Sequence, residues 1–391
     1  MKTGIRSKYF THIPVHKGMI KKMAKAFMYL IVSLLGIAIV FTIAVIVFVN
    51  TSPQIGQKPK GEHLEEIKKS PNYGDDAFVN LIETKMGSFG EMMSTMPDLL
   101  FGKNQSPVDS LPVKFGENGQ AAVDSISSVT WFGHSAFLVE MEGKRILIDP
   151  MLGEVAAPIS FGSKRYPYKK QIPIEQLKNI DVVILSHDHY DHLDYPTIMQ
   201  IKDEVGHFYM ALGVGSHFES WGISKEKITE LDWWDSVEYK GLKLVACPAR
   251  HFSGRGLTDR NATQWASWVI QGEHQSLYFS GDSGYGPHFK EIGNKYGPFD
   301  LAMMECGQYN EAWEAIHMMP EQSVQAGIDV KGKLLMPIHW GAFKLSVHEW
   351  TDPILRFQSE SKRLNTPMIH PVIGERFALG RDYPDTEWWK E

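Results

Sequence analysis

The amino-acid sequence predicts an α/β protein with one transmembrane helix ahead of its folded domain. Residues 27–49 form an apolar run without a charged side chain, and short β-branched runs alternate with helix-like segments from residue 128 onward. Such alternation is typical of domains in which helices pack on β-sheets. Histidine or aspartate follows the end of several predicted strands. With 391 residues, 43% of them hydrophobic, the chain suffices for one large domain or two small ones.

The N-terminal region is predicted to be a basic cytoplasmic segment followed by a membrane anchor. Residues 1–26 contain lysine and arginine but no acidic residue. The apolar run 27–49, about 23 residues long, can cross a hydrocarbon core of about 30 Å. It ends in Val-Phe-Val-Asn-Thr-Ser-Pro, without the small-residue cleavage pattern of a signal peptide. Because basic residues favour the cytoplasmic side, we expect a single-pass protein of the cell membrane with the bulk of the chain on the extracytoplasmic side.

Residues 50–124 are predicted to be a linker and an N-terminal extension, ahead of a main domain at 125–391. The polar stretch 51–60 contains proline and glycine, which is typical of linkers. Residues 75–86 and 88–101 are interpreted as short helices. The second is rich in methionine and leucine, so it is either a helix docked on the main domain or an apolar flap near the membrane or the mouth of a site.

The main domain begins with a predicted hairpin. Strand-like residues 129–141 and 144–148 flank Glu142-Gly143, a pair suited to a tight turn, and a second hairpin is expected around Lys240-Gly241. The other elements follow from β-branched or aromatic runs and from helical periodicity. The further predicted strands are 181–185, 208–212, 236–239, 242–246, 266–271, 276–280, 299–304 and 334–338, and the predicted helices are 196–204, 216–221 and 320–328.

One loop has a high density of metal-binding side chains. Residues 186–194, Ser-His-Asp-His-Tyr-Asp-His-Leu-Asp, follow a short apolar run that is typical of a buried strand. Imidazole and carboxylate are the ligands that Zn²⁺ and similar divalent ions take when no thiolate is present. In an extended loop His187 and His189 project to one side, whereas Asp191 and His192 can turn to another. The loop therefore predicts two neighbouring metal positions.

Other strand ends carry the same residue types. His251, Asp282 and His339 each follow a predicted strand, and α/β proteins build sites from the loops at one edge of their strands. Each of these residues alone is typical of an ordinary polar position, but together with the histidine-rich loop they predict one metal-binding constellation. Asp149 and His134 are candidates for holding ligating imidazoles through the second ring nitrogen, with strand-end packing as the alternative.

Composition argues against two other classes of site. The formal net charge is −6, so we expect no nucleic-acid partner. The two cysteines, Cys247 and Cys306, are too few and too far apart for a thiolate zinc site, and both are predicted to be buried free thiols. The predicted metal site therefore uses imidazole and carboxylate.

The motifs and their spacing resemble the metallo-β-lactamase superfamily. The ordered set is His-x-His-x-Asp-His, then His251, Gly281-Asp282 and His339. The resemblance covers residues 125–375 and implies an αββα sandwich with the site at one edge. The flanking residues resemble the branch that contains N-acylphosphatidylethanolamine-hydrolysing phospholipase D, and they are Trp131 to His134, Arg250 to Arg255, Phe279 to Tyr285, Gly297 to Leu301 and Pro337 to Gly341.

The resemblance also implies roles for individual residues. His187, His189 and His251 would hold one zinc ion, Asp191, His192 and His339 the other, and Asp282 would bridge the two. Asp191, Asp282 and His317 are the implied catalytic residues. His317 either donates a hydrogen bond or proton to a phosphoryl group or has a structural role at the start of a helix. The residue types alone do not choose zinc over manganese or iron.

One segment departs from the branch pattern. Residues 307–313, Gly-Gln-Tyr-Asn-Glu-Ala-Trp, lack the Pro-Arg pair that precedes the tryptophan in the phospholipase branch, and the spacing to His317 is shorter. This segment would line the pocket. The resemblance therefore supports the metal chemistry more strongly than it supports the lipid substrate.

These expectations combine into one predicted function. We expect a membrane-anchored dinuclear zinc hydrolase, a phosphodiesterase of the phospholipase D type that acts on N-acylphosphatidylethanolamine-like lipids through a metal-bridging hydroxide. One alternative is a hydrolase of the same fold that acts on a lactone, a β-lactam or another small ester or amide; the other is a non-catalytic metal-binding sensor. The expected partners are a phospholipid or other small-molecule substrate, the bilayer and a second copy of the chain in a homodimer.

Overall fold

The computed structural model of the protein describes residues 17–116, 126–381 and 383–390. The first sixteen residues of the predicted basic segment and the predicted domain boundary at 124/125 lie outside the described residues. The chain divides into two compact units, Met1–Ser52 and Pro53–Glu391. The α-helices of the described residues are α1 (Lys17–Thr51), α2 (Gly61–Ile67), α3 (Phe89–Ser94), α4 (Met96–Phe101), α5 (Tyr195–Ile201), α6 (Gly215–Ser220), α7 (His288–Tyr296), α8 (Pro320–Asp329) and α9 (Asp352–Arg363).

The first unit contains the long apolar helix α1. Among the described residues, it is the one helix long and apolar enough to cross a membrane, with a candidate span of Gly18–Thr51 that contains an 18-residue window of mean hydropathy 3.1. The helix begins before the predicted apolar run 27–49. Lysine is a good helix former, so Lys21, Lys22 and Lys25 continue the helix toward the N-terminus.

The second unit is built on two β-sheets whose strands begin after residue 127. Most of these strands are short and almost fully buried, as their β-branched and aromatic composition predicts. The strands are β1 (Ser128–Trp131), β2 (Phe137–Met141), β3 (Lys144–Ile148), β4 (Ile180–Leu185), β5 (Val205–Ala211), β6 (Ile228–Leu231), β7 (Ser236–Tyr239), β8 (Leu242–Cys247), β9 (Ser267–Gln271), β10 (Ser276–Phe279), β11 (Leu301–Glu305), β12 (Leu335–Ile338) and β13 (Arg376–Ala378).

The strand order brings several strand ends to one edge of each sheet. The seven-stranded sheet has the order β13-β1-β2-β3-β4-β5-β6 and is parallel from β3 to β6. The six-stranded sheet has the order β12-β11-β10-β9-β8-β7, and β10, β11 and β12 are parallel. The carboxyl ends of parallel strands meet at one edge, where the loops after them can build a site.

The two sheets share one hydrophobic core. Phe137 of β2 and Phe279 of β10 pack edge to face, with ring centroids 6.3 Å apart. Trp268 of β9 donates from Nε1 to the carbonyl of Leu185 at the end of β4 at 3.1 Å. Helices α8 and α9 pack against β12, and α8 also packs against β11. The predicted α/β fold class is confirmed as a two-sheet sandwich with helices.

The predicted hairpins are present, but one predicted strand is divided. Both turn pairs, Glu142-Gly143 and Lys240-Gly241, have positive φ angles, as a tight hairpin turn requires. Residues 129–141 form two strands, β1 and β2, instead of one. The chain turns between them at Gly133 and His134, which have φ angles of 87° and 56°.

The helix predicted at residues 75–86 is wrong. The side chain of Phe78 is buried, and its N–H donates to the carbonyl of Asn261 at 2.9 Å. Asn80 is hydrogen-bonded to the backbone of His251. These contacts with distant residues hold the segment in a turning, extended path, so tertiary packing overrides its helix propensity.

Residues 88–101 form two short helices, α3 and α4, instead of one. Their flanks are fastened to the loops beside the sheets: the Gly87 N–H donates to the Ala312 carbonyl at 2.6 Å, and Nζ of Lys344 donates to the Leu99 carbonyl at 2.8 Å. Phe101 at the end of α4 is 81% exposed. The segment is therefore docked at its ends while it keeps apolar side chains in contact with solvent.

Candidate metal centre

The histidine-rich loop lies between a buried strand and a capped helix. It follows β4 directly, and the His192 and Leu193 N–H groups both donate to the carbonyl of His189, at 3.0 and 2.8 Å. At the far end of the loop, Asp194 accepts from the Thr197 N–H at 3.1 Å and caps α5. The turn and the cap fix the direction of the side chains between them.

A first cluster contains His187, His189, His251 and Asp282, whose ligand atoms all lie within 4.8 Å of one another. Nδ1 of His189 lies 2.9 Å from Nε2 of His187 and 3.1 Å from Nε2 of His251. Oδ2 of Asp282 lies 3.9 and 3.8 Å from the same two Nε2 atoms. Three imidazoles and one carboxylate that converge in this way form a donor set for one divalent ion.

A second cluster contains His134, Asp191, His192 and His339. Oδ2 of Asp191 lies 3.2 Å from Nε2 of His339 and 3.6 Å from Nε2 of His192. Nε2 of His134 lies 2.8 Å from the same carboxylate oxygen. The structure thus brings together the three residues predicted for the second metal, and His134 contacts the carboxylate among them.

Asp282 lies between the two clusters. It follows β10 and comes directly after Gly281, whose φ of 55° favours glycine. Its Oδ1 lies 3.1 Å from Nε2 of His192, and its Oδ2 lies 3.2 Å from Nε2 of His339. Because Oδ2 also approaches His187 of the first cluster, the position of this carboxylate is the one that a bridging ligand needs.

The outer ring nitrogens of the ligand candidates are held by hydrogen bonds. Asp149 accepts from Nδ1 of His192 at 2.6 Å and from the Ser186 N–H at 2.7 Å. Nδ1 of His251 donates to the Ile316 carbonyl at 3.0 Å. Such contacts fix the tautomer, so that Nε2 of each ring is left free to ligate. The predicted role of Asp149 behind a ligating imidazole matches this geometry.

The buried donor atoms of the site fit divalent cations. Within the described residues, Nε2 of His192 and Oδ1 of Asp282 are buried without a hydrogen-bond partner, which is costly unless another group satisfies them. Burial lowers the pKa of His187 and of His251 well below the usual value, so these imidazoles stay in the neutral form that ligates. Burial alone would lower the pKa of His339, but the Asp282 carboxylate raises it to about 10, so a bound cation would displace a proton there.

His317 lies beside both clusters. Its ring centroid is 5.0 Å from that of His251 and 5.3 Å from that of His339. Nδ1 of His317 donates to Oε1 of Glu305 at 2.7 Å. Glu305 is fully buried at the end of β11, and its other oxygen accepts from the Ser283 N–H at 3.2 Å. This carboxylate therefore fixes the orientation of His317.

Sequence reasoning missed Glu305 and a second group behind the site. Glu305 ends the strand-like run Leu-Ala-Met-Met-Glu, where a carboxylate in an otherwise apolar strand was the available signal. Asp188 lies between the first two histidines of the loop and accepts from Nε2 of His217 at 3.2 Å. Nothing local in the sequence pairs these two residues, because they are joined only in the folded chain.

Comparison with known proteins identifies the superfamily. Residues 144–340, which include the histidine-rich loop, His251, Asp282 and His339, match the Beta-lactamase superfamily domain. The chain belongs to this superfamily. An uncharacterized protein of Mycobacterium tuberculosis is 37% identical over 329 residues, which cover 83% of this chain and 88% of that protein.

Two proteins with named activities are also similar to the chain. The N-acyl-phosphatidylethanolamine-hydrolyzing phospholipase D 1 of Caenorhabditis elegans is 35% identical over 234 residues, which cover 56% of this chain and 65% of that protein. The solved structure of an isothiocyanate hydrolase from Delia radicum gut bacteria superposes with a TM-score of 0.51 at 19% identity, covering 64% of this chain and 98% of that one. The protein is thus a metal-dependent hydrolase of the metallo-β-lactamase fold, related to the phospholipase D branch.

Proposed function

We propose that this protein is a membrane-anchored dinuclear zinc phosphodiesterase of the phospholipase D type, acting on N-acylphosphatidylethanolamine-like lipids. The observation that carries the proposal is the pair of imidazole–carboxylate clusters joined by Asp282. Its two oxygens approach His192 and His339 of one cluster at 3.1 and 3.2 Å, and Oδ2 also lies 3.8 Å from His251 of the other. A centre of this kind suits an in-line displacement at a phosphodiester.

The protein's own residues position the metal-binding carboxylates and exclude bulk water from the site. Two divalent cations, when bound, polarise a phosphoryl oxygen and lower the pKa of a water molecule for attack near neutral pH. His134 donates from Nε2 to Asp191 at 2.8 Å and so fixes this carboxylate beside His339. Asp282 is 2% exposed, so bulk water competes little with the reacting groups, and their charges act strongly on a phosphoryl group.

His317 is proposed to donate a hydrogen bond or proton to the substrate phosphoryl group. Glu305 accepts the Nδ1–H of His317 and so fixes the ring orientation, and the ring donates from Nε2 when it carries a proton on both nitrogens. The side chain of His317 is 14% exposed, which lets a substrate reach the ring. Cleavage of the P–O bond leaves negative charge on the ethanolamine oxygen. A proton donor beside the cations stabilises this charge and so favours departure of the N-acylethanolamine.

The lipid substrate and the membrane location rest on two supports. The related Caenorhabditis elegans protein is named for hydrolysing N-acylphosphatidylethanolamine. The helix α1 is long and apolar enough to hold the enzyme in a bilayer. The lysines that precede the apolar run favour a cytoplasmic N-terminus, so we propose a single-pass protein of the cell membrane with the catalytic unit on the extracytoplasmic side.

The test uses the full-length protein in detergent micelles, loaded with zinc. It is incubated with N-acylphosphatidylethanolamine, and the products are identified by mass spectrometry with Asp282→Asn as the control. We expect phosphatidic acid and N-acylethanolamine from the wild type and neither from the variant. If wild type with two bound zinc ions releases neither product, the lipid assignment is refuted, and small esters, lactones and β-lactams become the substrates to assay.

A further inference from the structure

The N-terminal extension contacts two of the loops that carry the metal-binding residues. The parts involved are residues 53–57, here called the strap, and Asn80. Both precede residues 144–340, which match the superfamily domain. They belong to the same compact unit as the sheets. The proposed function assigns neither of them a role.

The strap reaches the histidine-rich loop through His217. The Gln57 N–H donates to Nδ1 of His217 at 3.0 Å, so Nδ1 is the acceptor and Nε2 carries the ring proton. Nε2 then donates to Oδ2 of Asp188 at 3.2 Å. Because Asp188 lies between His187 and His189 in the sequence, this path supports the part of the loop that carries two ligand candidates.

Arg255 makes a second connection between the strap and the loop. Its side chain is buried, and its Nε and Nη2 donate to the carbonyl of Gln54 at 3.1 and 2.7 Å. Nη1 donates to the carbonyls of Asp188 and Leu193 at 2.6 and 2.8 Å. One guanidinium thus joins the strap to both ends of the histidine-rich loop, which the rigid fork of arginine allows and a lysine would not.

Asn80 holds the backbone of another ligand candidate. Its Oδ1 accepts from the His251 N–H at 3.1 Å, and its Nδ2 donates to the His251 carbonyl at 2.8 Å. Both backbone groups of His251 are therefore paired with one side chain of the extension. The neighbouring Phe78 is buried in the core and fixes the position from which Asn80 reaches.

We propose that the extension positions the first metal cluster, with His217, Arg255 and Asn80 as positioning residues. This inference rests on the proposed dinuclear centre. All three imidazoles of the first cluster lie on the two loops that the extension holds, whereas the second cluster takes Asp191 and His192 from one of these loops and His339 from the loop after β12. Hydrogen bonds behind ligating residues typically change metal affinity 10–100-fold. Loss of the strap contacts is therefore expected to weaken one of the two bound ions more than the other.

A substitution of Gly56 in the strap tests the contact between the strap and His217. It has a φ of 70°, and a Cβ built on it would overlap Nδ1 of His217. Gly61 is the matched control, because its φ is 58° and nothing lies within 4 Å of its built Cβ. Gly61→Ala thus adds the same kind of backbone strain without displacing the strap from His217.

The measurement is zinc affinity by chelator competition in the full-length protein. We expect Gly56→Ala to weaken one zinc site 10–100-fold and Gly61→Ala to leave both sites within about twofold of wild type. The absorption spectrum of the cobalt-loaded protein gives a second readout, since a displaced His187 or His189 changes the geometry at the metal. A purely structural role would lower the unfolding temperature in excess chelator without changing either metal readout.

A second pair of variants covers the case in which Gly56→Ala does not fold. Asn80→Ala removes both hydrogen bonds to His251, and Asn72→Ala is its control, because Asn72 donates to Asp232 at 2.9 Å away from the metal loops. We expect weaker zinc binding in Asn80→Ala alone. Wild-type zinc affinity in Asn80→Ala would overturn the positioning role, as would equal affinities in Gly56→Ala and Gly61→Ala. A wild-type chain that binds no zinc would overturn the dinuclear centre as well, whereas failure of lipid hydrolysis with these metal effects intact would refute only the lipid assignment.

Discussion

Replacing Asp149 with asparagine changes one atom in a buried carboxylate that holds the second cluster from behind. One of its oxygens accepts from the Ser186 N–H at 2.7 Å, and the other accepts from Nδ1 of His192 at 2.6 Å and from the Ser186 hydroxyl at 2.5 Å. Asp149 is fully buried, so water cannot replace either contact. The substitution keeps the size of the side chain and removes one of its two acceptors.

The asparagine amide forces a choice between the two partners. If its oxygen stays on the Ser186 N–H, its NH₂ group faces His192, and Nδ1 must then become an acceptor. The ring proton moves to Nε2, the nitrogen that lies 3.1 Å from Oδ1 of Asp282 and that is needed as a ligand. We therefore expect Asp149→Asn to lower the affinity of the second metal 10–100-fold, or about 1.4–2.8 kcal/mol.

The matched control is Asp194→Asn in the same loop. Asp194 is also a buried carboxylate, but it caps α5 by accepting from Thr197, and asparagine caps helices as well as aspartate does. Zinc stoichiometry and affinity are measured for both variants by chelator competition, together with unfolding in excess chelator. Equal zinc affinity of Asp149→Asn and Asp194→Asn would refute the tautomer argument.

Two further predictions concern His317 and His288. We expect Glu305→Gln to lower kcat for N-acylphosphatidylethanolamine about 10–100-fold at unchanged zinc stoichiometry. Because the two residues act as a unit, the double variant with His317→Gln should be no slower than the slower single variant. Additive losses of kcat in the double variant would contradict this. Burial and the charge of Arg250 lower the pKa of His288 to about 3. Below about pH 6.5 the unfolded chain therefore binds a proton that the folded chain does not. As the pH is lowered from 6.5 to 3, this proton lowers the unfolding free energy by about 1.4 kcal/mol per pH unit. His288→Met should make this slope shallower in denaturant titrations, and an unchanged slope would show that His288 does not titrate in this way.

The residues predicted for the centre each follow a strand with a clear apolar pattern, and the structure brings their side chains together. The loop 186–194 follows β4, Asp282 follows β10 and His339 follows β12. The carboxyl ends of parallel strands meet at one edge of a sheet, so residue type and position together predict that these side chains converge. The same reasoning found Asp149, which follows β3 and pairs with His192.

The sequence did not predict Glu305 and Asp188, which act from behind the centre. Glu305 lies in a run of buried apolar residues. Its partner His317 lies in the connection between β11 and α8, and the path of this connection depends on the whole edge of the sheet. The helix expected at 75–86 failed for a related reason. Its own residues tolerate a helix, but Phe78 and Asn80 find partners near His251 that are more than 150 residues away in the sequence.

The strap shows why a local pattern misjudges the importance of a segment. Residues 51–60 are polar and contain proline and glycine, and such a composition is typical of a linker that can be cut. In the folded chain, Gln54 and Gln57 use backbone groups to satisfy the buried side chains of Arg255 and His217. Backbone groups leave no mark on amino-acid composition, yet an unpaired buried donor costs about 1–3 kcal/mol. A fragment that begins at residue 60 would therefore lose support of the histidine-rich loop together with α1, and its activity would not report on the loss of α1 alone.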